Sequence, residues 1–510
     1  MIKNFKWLVL ASLTLVACSD DDNEGAVVDE PITAGSADFS KYVALGDSFA
    51  AGYSDNALFR AGQENSYPNI LASQFALAGG GAFTQPLMVD NIGGFSMGGA
   101  QIPQFPTRLY LTFPPGATSP APTNVSGVSG TVFGTTVAGP FNNVGVPGAK
   151  SFHLTFNGYG SLNPYFGRFA SSATASPFGD ALAQNPTFFT LWIGGNDVLS
   201  YATSGGAGVN QTGNFDPTTY GGNDITDPNV FANVYGAMVD GLTANGAKGA
   251  VANLPYVNTL PFFTRVPYNP IPLDAATANQ LNSQLLGPVI QILTALGQGD
   301  RIHLLEASAT NAVLIKDESL VNLSAQLTGA LIGAGVPAPQ AGLMGNLYGQ
   351  ARHAKVAADG SFRDFVLLSA SSTLGTSQPG VPAPFNTIGV TYPLQDGAVL
   401  TNTEAAEVRV ATDAYNTTIE GVATAKGLAL VDAKAIMNQL LNGGIRYGNY
   451  HMTATYATGG TFSLDGVHPS ARGYALIANK FLEAINATYG SNFKGADLGS
   501  FTAQYGQNLP

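Results

Sequence analysis

The stretch YVALGDSF, residues 42–49, sets the framework for the rest of the chain. Its first four residues, 42–45, form an apolar run of the length expected for a buried parallel strand, and Gly46 and Asp47 then supply a turn. Ser48 follows at the carboxyl end of this strand, the edge where α/β sheets carry their active-site loops. The pattern therefore predicts a serine that points outward at a strand end, with its backbone N–H available to a bound carbonyl group.

Three further apolar runs predict strands of the same sheet. They cover residues 188–193, 249–254 and 428–431, and each ends in a polar or glycine-containing turn. Helical patterns alternate with these runs. The clearest is an apolar stripe from Tyr474 to Ile485, and a second pattern covers residues 403–425. This alternation predicts an α/β protein with a doubly wound, mostly parallel sheet.

Two stretches do not fit the alternation and are predicted to be insertions. Residues 80–140 are rich in Gly, Pro, Thr and Ser and are expected to form long loops. Residues 265–402 contain helical patterns over 275–296 and 311–332, and a loop-rich part around 369–398. The insertions either decorate the core or form a lid or acyl-binding wall over an active site.

Composition and charge argue against several classes of function. The 510 residues are 45% apolar, enough for a sizeable core, and the formal net charge is −12. No basic run longer than a dipeptide occurs, so a nucleic-acid partner is not expected. The five histidines are scattered and form neither a His-x-His nor a His-Glu-x-x-His motif. We therefore expect no metal site and no other cofactor.

The N-terminal residues resemble the signal of a bacterial lipoprotein. Lys3 and Lys6 precede a short apolar segment, and LVAC, residues 15–18, resembles a lipobox. The resemblance implies that residues 1–17 are removed and that Cys18 carries a lipid, which would anchor the protein to the outer membrane or cell surface. An ordinary signal peptide with an incidental cysteine is the alternative. Because the chain has a single cysteine, an intramolecular disulfide is excluded.

Residues 18–38 are predicted to form a flexible acidic tether. Within it, DDDNE, residues 20–24, resembles the export tag that follows the lipidated cysteine in surface lipoproteins of Bacteroidetes-type bacteria. A solvated acidic spacer is the alternative interpretation. The remaining boundaries place one domain, with the two insertions, over residues 39–490 and a C-terminal tail over residues 491–510.

A second group of candidate site residues lies near the C-terminal end. In LDGVHP, residues 464–469, Asp465 precedes His468 by three positions in a loop that enters a predicted helix. The Asp465 carboxylate can accept a hydrogen bond from the imidazole Nδ1–H, which leaves Nε2 free to face a serine. A hydroxyl becomes a nucleophile when a base takes its proton and a third group orients that base. Ser48, His468 and Asp465 are therefore the candidate catalytic residues.

The order of these motifs resembles that of the GDSL, or SGNH, hydrolase family. The second family block matches NVGVPGA, residues 143–149, and the third matches WIGGND, residues 192–197. The resemblance implies a three-layer α/β/α, flavodoxin-like fold and a serine esterase or lipase-like acylhydrolase over residues 39–490. It also implies an oxyanion hole formed by the Ser48 N–H, the Gly148 N–H and the Asn196 side-chain amide.

Several residues compete with these assignments. A second GGND string, residues 221–224, has no apolar strand before it, which favours the first string. Ser96 lies in a Gly-x-Ser-x-Gly motif, typical of another hydrolase class, but Gly and Pro flank it where a strand and a helix are required. Gly145 is the alternative to Gly148. Three of the other histidines are interpreted as structural or exposed, and His451 is a reserve candidate for the base.

The resemblance leaves the substrate open. An anchored exterior location and apolar insertions favour a lipid or another acyl ester. A carbohydrate O-acetyl esterase would use the same chemistry with a smaller acyl pocket. Transfer of the acyl group to an alcohol instead of water is a third possibility, and a surface lipoprotein that binds a ligand without catalysis is a fourth.

Overall fold

The computed structural model describes residues 31–116 and 119–509. The predicted signal peptide, Cys18 and most of the predicted tether lie outside these ranges. Within them, the strands in chain order are β1 Tyr42–Gly46, β2 Ser96–Met97, β3 Ala100–Gln101, β4 Leu109–Thr112, β5 Ala121–Asn124, β6 Asn143–Gly145, β7 Phe188–Trp192, β8 Lys248–Ala252, β9 Leu314–Lys316, β10 Ala351–His353, β11 Phe365–Val366, β12 Val399–Leu400, β13 Ala429–Val431, β14 Ile445–Tyr447 and β15 Tyr450–Met452.

The α-helices of the same ranges are α1 Ser48–Ala51, α2 Arg60–Glu64, α3 Tyr67–Phe75, α4 Pro164–Gly167, α5 Pro177–Leu182, α6 Asn196–Thr203, α7 Pro228–Thr243, α8 Pro261–Thr264, α9 Ala275–Leu281, α10 Gly287–Ala295, α11 Ser324–Gly333, α12 Ala338–Tyr348, α13 Asn402–Lys426, α14 Ala433–Leu441 and α15 Ala471–Tyr489. A π-helical turn over Asn282–Leu286 joins α9 to α10. Short 3₁₀ helices cover Ala76–Ala78, Ser151–Thr155, Tyr159–Ser161, Pro217–Thr219, Val257–Thr259, Leu368–Ser372, Asp396–Ala398 and Leu498–Ser500.

Five strands form one parallel sheet in the order β13-β8-β7-β1-β6. Within this sheet, Leu45 of β1 lies opposite Leu191 of β7 on one side and Val144 of the edge strand β6 on the other. Every residue of these three strands is buried. This burial explains the continuous apolar runs of β1 and β7, since both faces of a parallel sheet are covered.

Helices cover both faces of this sheet. One layer contains α3 and α15, which contact each other, and α15 packs on β8 and β13. The other layer contains α5, α7 and α13, with α7 in contact with both of its neighbours. The chain therefore has a three-layer α/β/α fold with a parallel central sheet, which confirms the predicted fold class.

The sequence predicted most elements of this core but not all. The four predicted apolar runs become β1, β7, β8 and β13, and the two helices beside them become α13 and α15. The fifth strand, β6, was not predicted. The helix predicted over residues 311–332 is wrong in its first half, because that part contains β9, and α11 begins only at Ser324.

The second predicted insertion has a hydrophobic core of its own. Buried side chains from Val266 to Val399 form a cluster separate from the one that covers the sheet. The same segment contains a buried ion-pair group, in which Arg352 Nε lies 2.6 Å from Asp317 Oδ2 and Arg352 Nη2 lies 2.9 Å from Asp364 Oδ1. Its internal packing makes this segment more than a set of surface loops.

The C-terminal residues pack back against the first part of the chain. The Tyr505 ring contacts the Phe59 ring edge-on, with centroids 5.1 Å apart. The Arg108 guanidinium donates to the backbone carbonyls of Gly506 and Gln507. Among the helices of residues 31–116 and 119–509, none is both long and apolar enough to cross a membrane.

Candidate active site

The turn after β1 presents Ser48 at the carboxyl edge of the sheet. Ser48 is the first residue of α1, and the Asp47 side chain caps this helix by accepting a hydrogen bond of 3.0 Å from Phe49 N–H. Gly46 allows the turn to lie against β7, since a Cβ there would stand 2.4 Å from the Trp192 carbonyl oxygen. The sharp turn brings the Ser48 hydroxyl to the edge of a cavity while its backbone stays buried.

The structure brings Ser48, His468 and Asp465 into one hydrogen-bonded chain. The Ser48 Oγ lies 2.8 Å from His468 Nε2, and His468 Nδ1 lies 2.9 Å from Asp465 Oδ2. These distances are those of well-formed hydrogen bonds. A hydroxyl, an imidazole and a carboxylate in this order form the arrangement that activates a serine for nucleophilic attack.

Four donors surround the Asp465 carboxylate. Its Oδ1 accepts from the backbone N–H groups of Val467 and His468, both at 2.8 Å, and its Oδ2 accepts from Asn56 N–H at 3.0 Å and from the imidazole. Burial raises the pKa of Asp465, but the neighbouring His468 and these hydrogen bonds outweigh it and hold the pKa at about 2. An ionised carboxylate only accepts, so the proton lies on Nδ1 and a neutral ring offers Nε2 to the Ser48 hydroxyl.

A tight turn before α2 supplies the Asn56 donor. Ser54 and Ala57 exchange both of their backbone hydrogen bonds, and the two residues between them have positive φ, 49° at Asp55 and 63° at Asn56. Asp and Asn tolerate this left-handed conformation better than other residues with a Cβ. The buried Asp55 carboxylate accepts from the Leu464 N–H at 2.9 Å, which fixes the turn to the loop that carries His468.

A second turn, after β6, places Gly148 at the cavity. The Ala149 N–H closes the turn on the Val146 carbonyl at 3.1 Å, and Gly148 has a φ of +79°. Within the described residues, neither the Gly148 N–H nor the Ser48 N–H has a hydrogen-bond acceptor. At Gly145, by contrast, the N–H is bonded to the Asn143 side chain, and a Cβ would collide with the backbone of α1.

Asn196 completes this group at the start of α6. Its side-chain Nδ2 donates to the Ala149 carbonyl at 3.0 Å, which orients the amide and leaves its second hydrogen without an acceptor in the described residues. The next residue, Asp197, is buried and binds the Ser151 backbone N–H and hydroxyl at 2.8 and 2.7 Å. Asp197 therefore joins α6 to the segment after the Gly148 turn.

The predicted site residues line one cavity of about 430 Å³: Ser48, Gly148, Asn196, Asp465 and His468. The competing residues do not line it: Ser96 lies in β2, Asn223 in an exposed turn and His451 in β15. In the part of the chain that the structure describes, no group of three or more His, Cys, Asp or Glu side chains is placed to hold a metal ion.

Two residues that shape the site are not among those predicted from the sequence. Asn56 holds Asp465, as described above, and Asn163 holds the Gly148 turn through a 2.9 Å bond from its Nδ2 to the Pro147 carbonyl. The Asp55-Asn56 pair was a detectable signal, since adjacent Asp and Asn residues favour left-handed turns. The sequence carried no such signal for Asn163, because its acceptor is 16 residues away.

Comparisons with known proteins add little to this geometry. No model of a protein family matches the chain, and no curated protein matches it. Among solved structures, an extracellular lipase from Streptomyces rimosus aligns with 88% of this chain and 98% of its own, at 11% identity and a TM-score of 0.27. A likeness at this level carries no argument about the function of this chain.

The environment of Asp47 predicts a pH-dependent stability. Burial raises the pKa of Asp47 to about 7, against the lowering effects of Phe49 N–H and His468. Stability is therefore present at low pH and is lost as the pH rises toward 7, because the fold must then hold a buried anion. Asp47→Asn should increase the free energy of unfolding relative to wild type, by up to about 4 kcal/mol above pH 7 and little below pH 4.

Denaturant unfolding between pH 4 and 8 measures this difference. Asp216→Asn is the matched control, since Asp216 also caps a short helix but is exposed and has a lowered pKa. Its effect should stay constant over this range. A constant difference between Asp47→Asn and wild type would contradict the prediction.

Proposed function

We propose that this protein is a serine hydrolase that cleaves carboxylic esters, with Ser48 as nucleophile, His468 as general base and Asp465 as the group that orients the base. The observation that carries this proposal is the chain of 2.8 and 2.9 Å hydrogen bonds from the Ser48 hydroxyl through the imidazole to Asp465. The order of its motifs, which resembles that of the GDSL hydrolases, supports the same conclusion.

In the proposed reaction, the Ser48 oxygen attacks the ester carbonyl carbon while His468 Nε2 takes the hydroxyl proton. The imidazolium is stabilised by the ionised Asp465 and returns the proton to the alcohol that leaves. This step produces an acyl-enzyme. Water then repeats the sequence: His468 takes its proton, the acyl group leaves as a carboxylic acid, and the Ser48 hydroxyl is restored.

The proposed oxyanion hole consists of the Ser48 N–H, the Gly148 N–H and the free hydrogen of the Asn196 amide. Three features support it. The three groups line one cavity, none of these hydrogens has an acceptor in the described residues, and each donor is fixed by a turn or a side-chain bond. Donors that are already oriented stabilise the developing oxyanion without a reorganisation cost.

Labelling with a fluorophosphonate probe tests the nucleophile. Wild-type protein should be labelled, and Ser48→Ala should lose both the label and hydrolysis of p-nitrophenyl acetate, because the probe reacts with a base-activated hydroxyl. Ser96→Ala is the matched control: its hydroxyl is buried, lies outside the cavity, and its loss should change neither readout. Persistent labelling of Ser48→Ala would remove Ser48 from the mechanism, and an unlabelled wild type would contradict the hydrolase assignment.

Loss of one oxyanion donor should reduce turnover while the nucleophile remains. Asn196→Ala is expected to lower kcat by about 100- to 1000-fold. Asn223→Ala is its control, since Asn223 occupies the same position of the second GGND string and also donates to a backbone carbonyl, that of Ala207. Equal kinetics for Asn196→Ala and wild type would exclude the amide from the oxyanion hole.

We propose further that the protein is exported and held at the outer membrane or cell surface by a lipid on Cys18. The lipobox-like LVAC at residues 15–18 supports this. Cells given a labelled fatty acid should transfer the label to the wild-type protein and to Ser19→Ala, but not to Cys18→Ala. Transfer of label to Cys18→Ala, or none to the wild type, would contradict the anchor.

A further inference from the structure

A second, larger cavity adjoins the proposed catalytic cavity. It has a volume of about 1150 Å³, and its wall shares Asn56, Phe262 and Asp465 with the smaller cavity that contains Ser48. We refer to it as the insertion groove. Its size exceeds the usual range of pockets for small molecules, about 300–1000 Å³, so an acetyl or butyryl ester of a small alcohol would leave most of it empty.

Both predicted insertions line the insertion groove. The first contributes Leu109 of β4 and residues 120–122, at the start of β5. The second contributes residues from 265–273 and from the 3₁₀ helix Leu368–Ser372, in the segment with its own hydrophobic core. The insertions thus supply most of the surface that would contact a bound molecule, whereas the proposed catalytic residues lie outside them.

The chemistry of the wall is mainly apolar. Proline, leucine, isoleucine, valine and phenylalanine side chains supply most of the lining. The uncharged polar part consists of Asn56, Ser369, Ser371, Ser372, Thr387 and Tyr456. Only Arg265 and Asp465 carry charge, and Asp465 is already occupied by four hydrogen bonds. A wall of this composition favours a large apolar group over a sugar, which needs many polar partners.

The position of the insertion groove relative to His468 indicates which half of an ester it binds. In the proposed mechanism the imidazole gives its proton to the departing oxygen, so the alcohol must lie on the side of His468. The groove shares Asp465 with the catalytic cavity, and Asp465 and Leu464, both lining residues, belong to the loop that carries His468. Only the smaller cavity is lined by Ser48, His468 and the proposed oxyanion donors Gly148 and Asn196. The groove therefore reaches the site through Asn56, Phe262 and Asp465, and the last of these is bonded to the imidazole.

We propose that the insertion groove binds the alcohol portion of the ester and that this alcohol is large and mostly apolar. The proposal rests on the proposed function and adds the substrate class: esters with a bulky apolar alcohol. The acyl group stays in the cavity with the oxyanion donors.

Two isomeric esters test whether the insertion groove binds the alcohol or the acyl half of the substrate. Octyl acetate and ethyl octanoate have the same composition, but the long chain lies on the alcohol in the first and on the acyl group in the second. Wild-type protein should hydrolyse octyl acetate with a kcat/KM at least about 10-fold higher, because only this chain can reach the apolar groove.

A substitution that narrows the groove should abolish this preference, because the octyl chain must pass along its wall. Ser372 is exposed, lines the groove and makes no side-chain hydrogen bond in the described residues, so Ser372→Trp adds bulk without breaking a contact. It should lower kcat/KM for octyl acetate by about 10-fold and leave ethyl acetate within about twofold of wild type. Ser500→Trp is the matched control and should preserve the preference, because Ser500 is also an exposed residue at the end of a 3₁₀ helix but lies outside the groove.

The outcomes distinguish this proposal from the proposed function. A wild-type preference for ethyl octanoate, or a preference for octyl acetate that survives Ser372→Trp, would overturn the groove assignment while the hydrolase stands. Labelling of Ser48 by the fluorophosphonate probe without hydrolysis of octyl acetate would overturn it as well. Absence of both labelling and hydrolysis would instead overturn the proposed function.

Discussion

The hydrogen bond between His468 and Ser48 joins residues 420 positions apart, and the site depends on how firmly the loop that carries His468 is held. The loop is tied to the segment after α1 by buried bonds: the Ser54 hydroxyl donates to the Pro469 carbonyl at 3.0 Å, and Asp55 accepts a backbone N–H from the loop at 2.9 Å. These bonds fix the backbone on both sides of His468 without occupying its imidazole. The ring is therefore positioned before a substrate binds.

Two buried carboxyl groups beside Ser48 illustrate how the surroundings of a buried acid, the nearby imidazole and the number of hydrogen-bond donors, set its charge. Asp465 receives four hydrogen bonds, and its pKa is about 2; Asp47 receives one from Phe49 N–H, and burial raises its pKa to about 7. The two groups therefore differ in protonation near pH 6 although both are buried. Only the first is a dependable anion, and only the first contacts the imidazole.

The sequence predicts those features that depend only on residues close together in the chain, within one strand, helix or loop. Apolar runs predict the buried strands, and an apolar stripe predicts α15. Asp465 and His468 are predicted to interact because they lie three positions apart in one loop. β6 escaped prediction because its three residues, Asn143–Gly145, include a polar residue and a glycine that packs against α1. The wrong helix prediction over residues 311–332 has a related cause. A short apolar run does not distinguish the two-residue repeat of a strand from the 3.6-residue repeat of a helix, so the sequence does not identify β9. Contacts such as that of Asn163 with the Gly148 turn depend on the assembled fold.

The position of the two insertions relative to each other also depends on the assembled fold and is not predicted from the sequence. It determines how the proposed enzyme separates substrate binding from the chemical step. Ser48, Gly148 and Asn196 follow strands of the parallel sheet, whereas the insertion groove is built mostly from segments outside it. The segment from Val266 to Val399 packs on its own hydrophobic core, and it meets the loop of His468 where Leu368 lies beside Gly466. Substitutions in the groove wall far from Leu368 would therefore change the alcohol that the groove accepts with little effect on the geometry around Ser48, because most of that wall rests on a core of its own.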